Sequence, residues 1–265
     1  MSGRARRSPW EREFQEVWRR EQWFLRRYGE KRETALDRKA AELAPDRLME
    51  TLHAAFERAF ALVLERGSGL ILRVGGQERR RAACLARTDA ADAEESREAL
   101  RAFSKAAGRA GAGSTALSGA AGVGMGLFGV TLPDIPLFTA LLLKCVYETA
   151  ESFGFSCDTE AERLYALRVI EAALSYGDAL REKGRELDVY AQTGQWLREV
   201  PWDEQVRATA RRLSEAALYG KVLQNVPVAG AVGGAGDAVC LSRVRRYAAI
   251  KYQKRFLLRR RLAAE

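Results

Sequence analysis

Three carboxylates are the side chains of this sequence best placed for acid–base chemistry. Asp134 and Asp237 each follow a glycine-rich segment and stand where a helix is expected to begin, and Glu148 lies within the first of those helices. A carboxylate at a helix start ordinarily caps free backbone N–H groups. Catalysis would require two such groups to meet in a concave pocket. Capping is therefore the favoured interpretation, and a hydrolase that acts on lipids or peptides is the alternative.

Other catalytic signatures are weak or missing. The only histidine, His53, excludes a multi-histidine metal site, and the segment Gly124–Gly129 matches G-x-G-x-x-G without the preceding strand that nucleotide binding needs. The four cysteines form no Cys-x-x-Cys pair, which is typical of reduced thiols in a cytosol: Cys84, Cys145, Cys157 and Cys240. The sequence predicts no cofactor and no metal site.

The composition indicates a globular protein with an anionic partner. The chain has 265 residues, of which 47% are hydrophobic, and carries a formal net charge of +9 at pH 7. Anionic lipid and nucleic acid are the usual partners of such a charge. No helix-turn-helix, zinc-finger or RRM signature accompanies it, so nucleic acid is disfavoured. No apolar signal-peptide core is found at the N-terminus, and a cytoplasmic location is expected.

Helical periodicity dominates the chain. The spacing of apolar residues predicts helices over 10–28, 46–66, 136–153, 160–176 and 203–219, and Thr159-x-x-Glu162 is a capping box. The predicted fold is all-α: a single helical-bundle domain with at most one short β-hairpin, between Leu70–Val74 and Ala82–Leu85.

The N-terminal helix is amphipathic and basic. Glu21 interrupts its apolar arc, which can dock either on the protein's own core or on lipid. We assign residues 1–39 to this helix and residues 40–262 to the main helical domain. The arc and the arginines opposite it are Trp10, Phe14, Val17, Trp18, Phe24, Leu25 and Tyr28, and Arg12, Arg19, Arg26 and Arg27.

Two glycine-rich segments, uncharged at their centres, precede Asp134 and Asp237, which we take as equivalent points of a weak pseudo-repeat. Small residues at four-residue spacing let helix backbones approach closely, so the two segments are predicted to pack together. Whether they are buried or partly inserted in a bilayer stays open. The predicted packing glycines are Gly122, Gly124, Gly126, Gly129, Gly230, Gly233 and Gly234, and Pro133, Asp134 and Pro136 mark the start of the helix after the first segment.

The last helix is the densest positive segment. No acidic residue lies between Asp237 and Glu265, and the helix is predicted to bind an anionic membrane surface. Because its cations are spread around the helical wheel, the alternative is that some pair with Glu148, Glu151 or Glu162. The cations assigned to membrane binding are Arg243, Arg245, Arg246, Lys251, Lys254 and Arg255.

The central motifs resemble the EcsC family of bacterial proteins. The resemblance covers roughly residues 40–262, with two departures: Lys144 replaces an arginine, and Phe153 and Phe155 replace tyrosines. It is carried by Gly122-x-Gly124-x-Gly126, Leu132-Pro133-Asp134-Ile135-Pro136, Thr139, Leu143, Tyr147, Ala150 and Phe153-Gly154-Phe155, and in the second segment by Gly220-Lys221, Pro227, Gly230–Gly233 and Asp237.

The resemblance implies a cytoplasmic protein of a family named for a gene beside an ABC transporter. The family has no settled activity, so it supplies no catalytic residues. The expected function is that of a non-catalytic accessory protein, peripheral at the inner face of the plasma membrane. It would bind the anionic lipid surface or a membrane protein such as an ABC transporter.

Overall fold

The computed structural model describes residues 8–29, 46–66, 79–80, 82–86, 101, 104–107, 109, 134–224 and 235–264. All regular structure in these ranges is helical, which confirms the prediction of an all-α bundle. The long helices are α1 (Pro9–Gly29), α2 (Asp46–Arg66), α3 (Asp134–Ser152), α4 (Glu160–Leu174), α5 (Gly177–Thr193), α6 (Trp202–Gln224) and α7 (Ala235–Ala264).

Local sequence signals fix several helix ends. The Ser8 Oγ accepts a hydrogen bond from the Glu11 backbone N at 3.2 Å, and the Ser8 N donates to the Glu11 carboxylate at 2.9 Å. These two bonds form a capping box at the start of α1. At the start of α4, the Thr159 Oγ1 accepts from the Glu162 N at 3.3 Å. The predicted N-cap is therefore confirmed, although the Glu162 carboxylate has a different partner, described below.

The turn at the end of α3 requires a glycine at position 154. Gly154 has φ +82°, and the Phe155 N and Gly154 N donate to the carbonyls of Ala150 and Glu151, each at 3.0 Å. This pattern is a Schellman motif, whose left-handed residue favours glycine because a Cβ would be strained there.

Two local predictions are wrong. The helix predicted over 203–219 does not stop before Gly220, because α6 continues to Gln224 and one glycine inside a helix costs only about 1 kcal/mol. Residues 82–86 are helical and not the second strand of a hairpin, as their alanine-rich composition favours. The first strand, Leu70–Val74, lies outside the described residues.

Helix α7 occupies the centre of the bundle, with α1, α3, α4, α5 and α6 all packed against it. Two of these neighbours, α1 and α4, run antiparallel to it. Along α1, Trp10 lies beside Phe256 and Phe24 lies 4.7 Å from Tyr247 between ring centroids. Along α4, Glu162 contacts Arg255 and the carbonyl of Ser175, just past the helix, contacts Arg243.

Two further neighbours, α3 and α5, run parallel to α7. On α5, Gly184 contacts Lys251 and Tyr190 lies beside Arg255. Phe153, directly after α3, packs on Phe256 at 6.4 Å, and α3 runs back along α7 from that point. One end of the bundle, here called the Tyr28 end, therefore gathers the end of α1, the turn between α4 and α5, and the starts of α3 and α7.

The Tyr28 end brings together the two positions that the sequence relates by a pseudo-repeat. Asp134 is the first residue of α3 and Asp237 is the third residue of α7, so both helix starts lie at the same end. The glycine-rich segments that precede them, with Pro133 and all seven predicted packing glycines, lie outside the described residues. The predicted packing of one segment on the other therefore stays a prediction.

Helix α1 belongs to the same core as the rest of the bundle. Val17 and Phe24 are completely buried in one hydrophobic cluster with residues of α2 to α7. The boundary near residue 39 lies outside the described residues and stays a prediction.

Candidate functional site

Two lysines of the predicted membrane-binding helix lie inside the bundle. Lys251 is 1% exposed, and its Nζ donates to the Glu21 carboxylate, to the Asp188 Oδ1 at 2.8 Å and to the Gly184 carbonyl at 2.9 Å. The Lys254 Nζ contacts the same two carboxylates, at 2.6 Å from Glu21 and 2.7 Å from Asp188. Two ammonium groups and two carboxylates form a closed, electrically neutral quartet that joins α1, α5 and α7.

The two most deeply buried members, Glu21 and Lys251, are held in their charged forms by the groups around them. Burial alone would raise the pKa of Glu21, but the charges and hydrogen bonds of Lys251 and Lys254 outweigh it and lower that pKa. Burial alone would lower the pKa of Lys251, but Tyr247, Glu21 and Asp188 raise it well above its ordinary value. A buried ion pair is stable only with such complete hydrogen bonding.

Arg255 has a carboxylate partner as well. Its guanidinium makes two hydrogen bonds of 2.6 Å to Glu162 and lies over the rings of Phe155 and Tyr165 at 4.3 and 4.5 Å. Burial lowers its pKa, but the hydrogen bonds and charge of Glu162 prevail and raise it. The alternative that basic residues of this helix pair with Glu162 is thus confirmed.

The other two acids named as partners bind a different cation. Glu148 and Glu151 form ion pairs with Arg80, at 3.6 and 2.8 Å. Burial is the largest influence on Glu151 and raises its pKa despite Arg80. Glu148, one of the three candidates for acid–base chemistry, therefore forms an ion pair with Arg80.

Arg243 is buried differently from the cations above. It is 6% exposed, and its guanidinium lies between the rings of Tyr28 and Tyr176, at 4.0 and 4.1 Å from their centroids. One nitrogen donates to the Ser175 carbonyl at 2.6 Å, and the buried Nε has no hydrogen-bond partner. It forms no ion pair with a carboxylate of the described residues, and burial lowers its pKa.

The expectation that the last helix presents its charges to a membrane is therefore corrected for four of the six residues. Arg243, Lys251, Lys254 and Arg255 are buried or paired inside because α7 has neighbours on nearly every side. Arg245 is half-buried and Arg246 is exposed. For Asp134 and Asp237 the structure describes the backbone as helical and gives no side-chain placement, and Pro136 is half-buried in the first turn of α3.

A basic and aromatic surface covers the Tyr28 end instead. Trp23 is 46% exposed and Tyr176 is 41% exposed, and the Arg27 guanidinium lies 5.6 Å from the Trp23 ring centroid. Val239 and Arg246 share an exposed stripe of α7, and Leu137 is exposed in the first turn of α3. We call this patch the end surface: Trp23, Arg26, Arg27, Leu137, Tyr176, Val239 and Arg246.

Sequence reasoning missed most of the end surface. Trp23 lies outside the apolar arc of α1, and Trp18, which was assigned to that arc, is 52% exposed. A tryptophan on the arginine side of an amphipathic helix was the available signal for Trp23. Glu21 had a signal too, because an acid within the apolar arc needs a buried cation as partner.

A groove of mixed charge lies elsewhere among the described residues. It encloses about 520 Å³ and includes none of the three predicted acid–base carboxylates among its described lining residues, which include Glu57, Glu65, Glu160, Arg163, Trp202, Asp203 and Arg207. Within the described ranges, no three histidine, cysteine or carboxylate groups converge as metal ligands. The described helices also include none with the length and apolar character needed to cross a bilayer.

A comparison with protein families returns one match, to the model described as the EcsC protein family, over residues 8–257. The chain belongs to the EcsC family. The match begins at α1 and so extends the EcsC region about thirty residues before the start indicated by the sequence motifs, in agreement with the shared core. No curated protein and no solved structure matches the chain.

Proposed function

We propose that this EcsC-family protein binds reversibly to the anionic surface of a membrane through its end surface, as a peripheral accessory protein on the cytoplasmic face. The observation that carries the proposal is the exposure of Trp23 and Tyr176 among Arg26, Arg27 and Arg246. Tryptophan and tyrosine favour the membrane–water interface, because each has an apolar ring and a polar tip. Each arginine near an anionic bilayer contributes about 1 kcal/mol.

The interior of the bundle supports binding by exposed side chains without insertion of α1. The apolar side of α1 packs on α7 through Phe24 and Trp10, and Glu21 ties it to two lysines. Turning that side toward lipid would break the buried quartet. The groups offered to a bilayer are therefore those that already point outward at the Tyr28 end, and a membrane protein such as an ABC transporter would meet the same groups.

The proposal is tested by vesicle co-sedimentation of the full chain. Arg26→Gln/Arg27→Gln removes two charges of the end surface, and Arg198→Gln/Arg259→Gln removes two exposed charges near the opposite end. Both variants have the same net charge. At about 1 kcal/mol per arginine, the first variant should bind vesicles of phosphatidylserine and phosphatidylcholine roughly thirtyfold more weakly, and the second should bind like wild type.

The salt dependence gives an independent check. Binding should weaken as ionic strength rises, because screening shortens the reach of exposed charges. Equal recovery of wild-type protein on neutral and anionic vesicles would contradict the electrostatic part of the proposal. Equal losses in the two double variants would show that total charge, rather than the end surface, determines binding.

A further inference from the structure

We infer that Arg243, Arg181 and the first turn of α5 form a binding site for a phosphate monoester at the Tyr28 end. The first observation is that Arg243 forms no ion pair with a carboxylate of the described residues. The other buried cations of α7, Lys251, Lys254 and Arg255, each contact a carboxylate. Arg243 is buried as well, yet its described partners are the Ser175 carbonyl, the two tyrosine rings and the Tyr176 side chain as a hydrogen-bond partner, none of which is a carboxylate.

An uncompensated buried cation favours an anionic ligand. Burying a charge without a counter-charge is costly, and rings and a single carbonyl recover part of that cost. A guanidinium has five N–H donors, and the Nε of Arg243 is left without a partner. An oxyanion that receives these N–H groups would supply both the missing charge and the missing acceptor.

The start of α5 is the second observation. Its N-cap residue, Tyr176, makes no side-chain capping bond, so that side chain leaves the first backbone N–H groups to other acceptors, and the helix dipole favours negative charge there. Gly177, the first helical residue, has φ +57°, and a Cβ built on it would meet no atom within 4 Å. There is thus open space beside the Gly177 Cα, at the start of this helix. The one acid in this turn, Asp178, is exposed.

The cation and the helix start are adjacent. Arg243 donates to the carbonyl of Ser175 and stacks on Tyr176, the two residues that lead into α5. Arg181, one turn into α5, is exposed, and its guanidinium lies 3.4 Å from the position of a Cβ on Gly29, next to Tyr28. Two guanidinium groups and a set of helix-start amides therefore face the same end of the bundle.

This donor set is suited to a terminal phosphate. A phosphate monoester has three terminal oxygens and carries close to two negative charges at neutral pH, so it can bind two guanidinium groups and backbone amides together. A phosphodiester or a single carboxylate offers fewer free oxygens. One source of the ligand is the headgroup of a lipid such as phosphatidic acid, and this source rests on the proposed membrane binding. Free phosphate is the other source.

The test measures phosphate and vesicle binding separately on the full chain. Thermal melting at neutral pH is followed with inorganic phosphate against chloride at matched ionic strength. Co-sedimentation compares vesicles containing phosphatidic acid with vesicles containing phosphatidylserine at matched surface charge. Arg181→Gln tests the site, and Arg185→Gln, an exposed arginine one turn further along α5, is the charge-matched control. Arg243→Lys keeps the charge and loses the planar donor set.

Phosphate should stabilise wild type and Arg185→Gln, with about tenfold weaker phosphate binding in Arg181→Gln and Arg243→Lys. Wild type should also prefer phosphatidic acid to phosphatidylserine. Phosphate binding that is equal in wild type and Arg181→Gln would overturn the site. This comparison is sufficient by itself in case the Arg243→Lys variant does not fold. Equal binding to both vesicle types without a phosphate effect would also overturn it while leaving membrane binding in place. Phosphate binding that depends on Arg181, without vesicle binding, would keep the site and refute the proposed function.

Discussion

Lys251 has a full charge at the centre of the bundle because three oxygen atoms surround it. Its acceptors come from α1 and α5, the Glu21 carboxylate from the first and the Gly184 carbonyl and Asp188 from the second. The same side chain therefore holds two helices on α7. This role accounts for a lysine in a helix whose other central positions hold Tyr247, Ala248 and Tyr252.

Replacing Lys251 with methionine should destabilise the protein by about 3–5 kcal/mol, because Glu21 and Asp188 would share a single buried cation. Urea unfolding measures the change. Lys105→Met removes an exposed lysine and should change the free energy of unfolding by less than about 0.5 kcal/mol. The double variant Lys251→Met/Glu21→Gln should recover part of the loss, because it removes the excess negative charge and leaves the Lys254–Asp188 pair. A Lys251→Met cost no larger than the Lys105→Met cost would contradict the ionised quartet.

The quartet also predicts how stability changes in acid. The two lysines lower the pKa of Glu21 in the folded state below its ordinary value of 4.5. A carboxyl group whose pKa is lower when folded contributes stability above its unfolded pKa, and that contribution is lost as pH falls through the folded pKa. Glu21→Gln lacks it. The difference in unfolding free energy between wild type and Glu21→Gln should therefore be constant near neutral pH and shrink below pH 4.5. A difference that does not depend on pH would show that Glu21 is not ionised in the folded protein.

At the scale of helices, Gly184 sets the distance between α5 and α7. A Cβ at this position would lie 3.0 Å from the Tyr247 Oη and 3.6 Å from the Lys251 Nζ. Tyr247 is completely buried, so its hydroxyl has little room to move. Gly184 on α5 therefore makes room for the Tyr247 side chain of α7. The packing role of the two glycine-rich segments stays a prediction.

Gly184→Ala should destabilise the protein by about 1 kcal/mol. Overpacking against Tyr247 costs about 1–3 kcal/mol, and the better helix propensity of alanine offsets about 1 kcal/mol of it. Tyr247→Phe removes the hydroxyl that the new methyl group would meet. Alanine at position 184 should then be neutral or stabilising in the Tyr247→Phe background, as measured by a double-mutant cycle in urea. An equal loss in both backgrounds would mean that the helices are not held apart at this contact.

The positions of the helices could be predicted from the sequence because their signals are local. The contacts between one helix and another could not. The capping box at Thr159, the glycine at 154 and the apolar period of α2 depend on residues within a few positions of each other, and each helix appears as expected. The burial of Lys251 and Arg255 depends on Glu21 and Glu162, which are 230 and 93 positions away. Basic residues on all sides of a helix are compatible with two structures: a helix surrounded by solvent, and a central helix whose cations pair with carboxylates of neighbouring helices. The two structures differ in which residues contact each cation, and a single sequence does not show these long-range contacts.

At the scale of the whole molecule, the bundle places its outward aromatic groups unevenly. The parallel pair α3 and α7 starts at the Tyr28 end, where α1 finishes, so exposed Leu137, Val239 and Trp23 lie on three different helices that meet at this end. Trp18 is as exposed as Trp23, at 52% against 46%, but it lies five residues further from that end. A membrane that meets the molecule end-on would contact Trp23 and leave Trp18 in water, whereas a membrane parallel to α1 would contact both.

The two tryptophans therefore report the orientation on the bilayer. Trp23→Ser should weaken binding to anionic vesicles by about tenfold or more, because an indole that leaves the interface loses roughly 1.5 kcal/mol or more of apolar burial. Trp18→Ser is the matched control, with the same chemistry on the same helix, and should bind like wild type. The fluorescence of each remaining exposed tryptophan gives a second measurement, since only Trp23 should shift to the blue and become protected from an aqueous quencher when vesicles are added. Equal losses and equal protection at the two positions would mean that α1 lies flat on the membrane along its arginine side. Protection of Trp18 alone would place the contact away from the Tyr28 end, and the end surface would then not be the membrane-binding face.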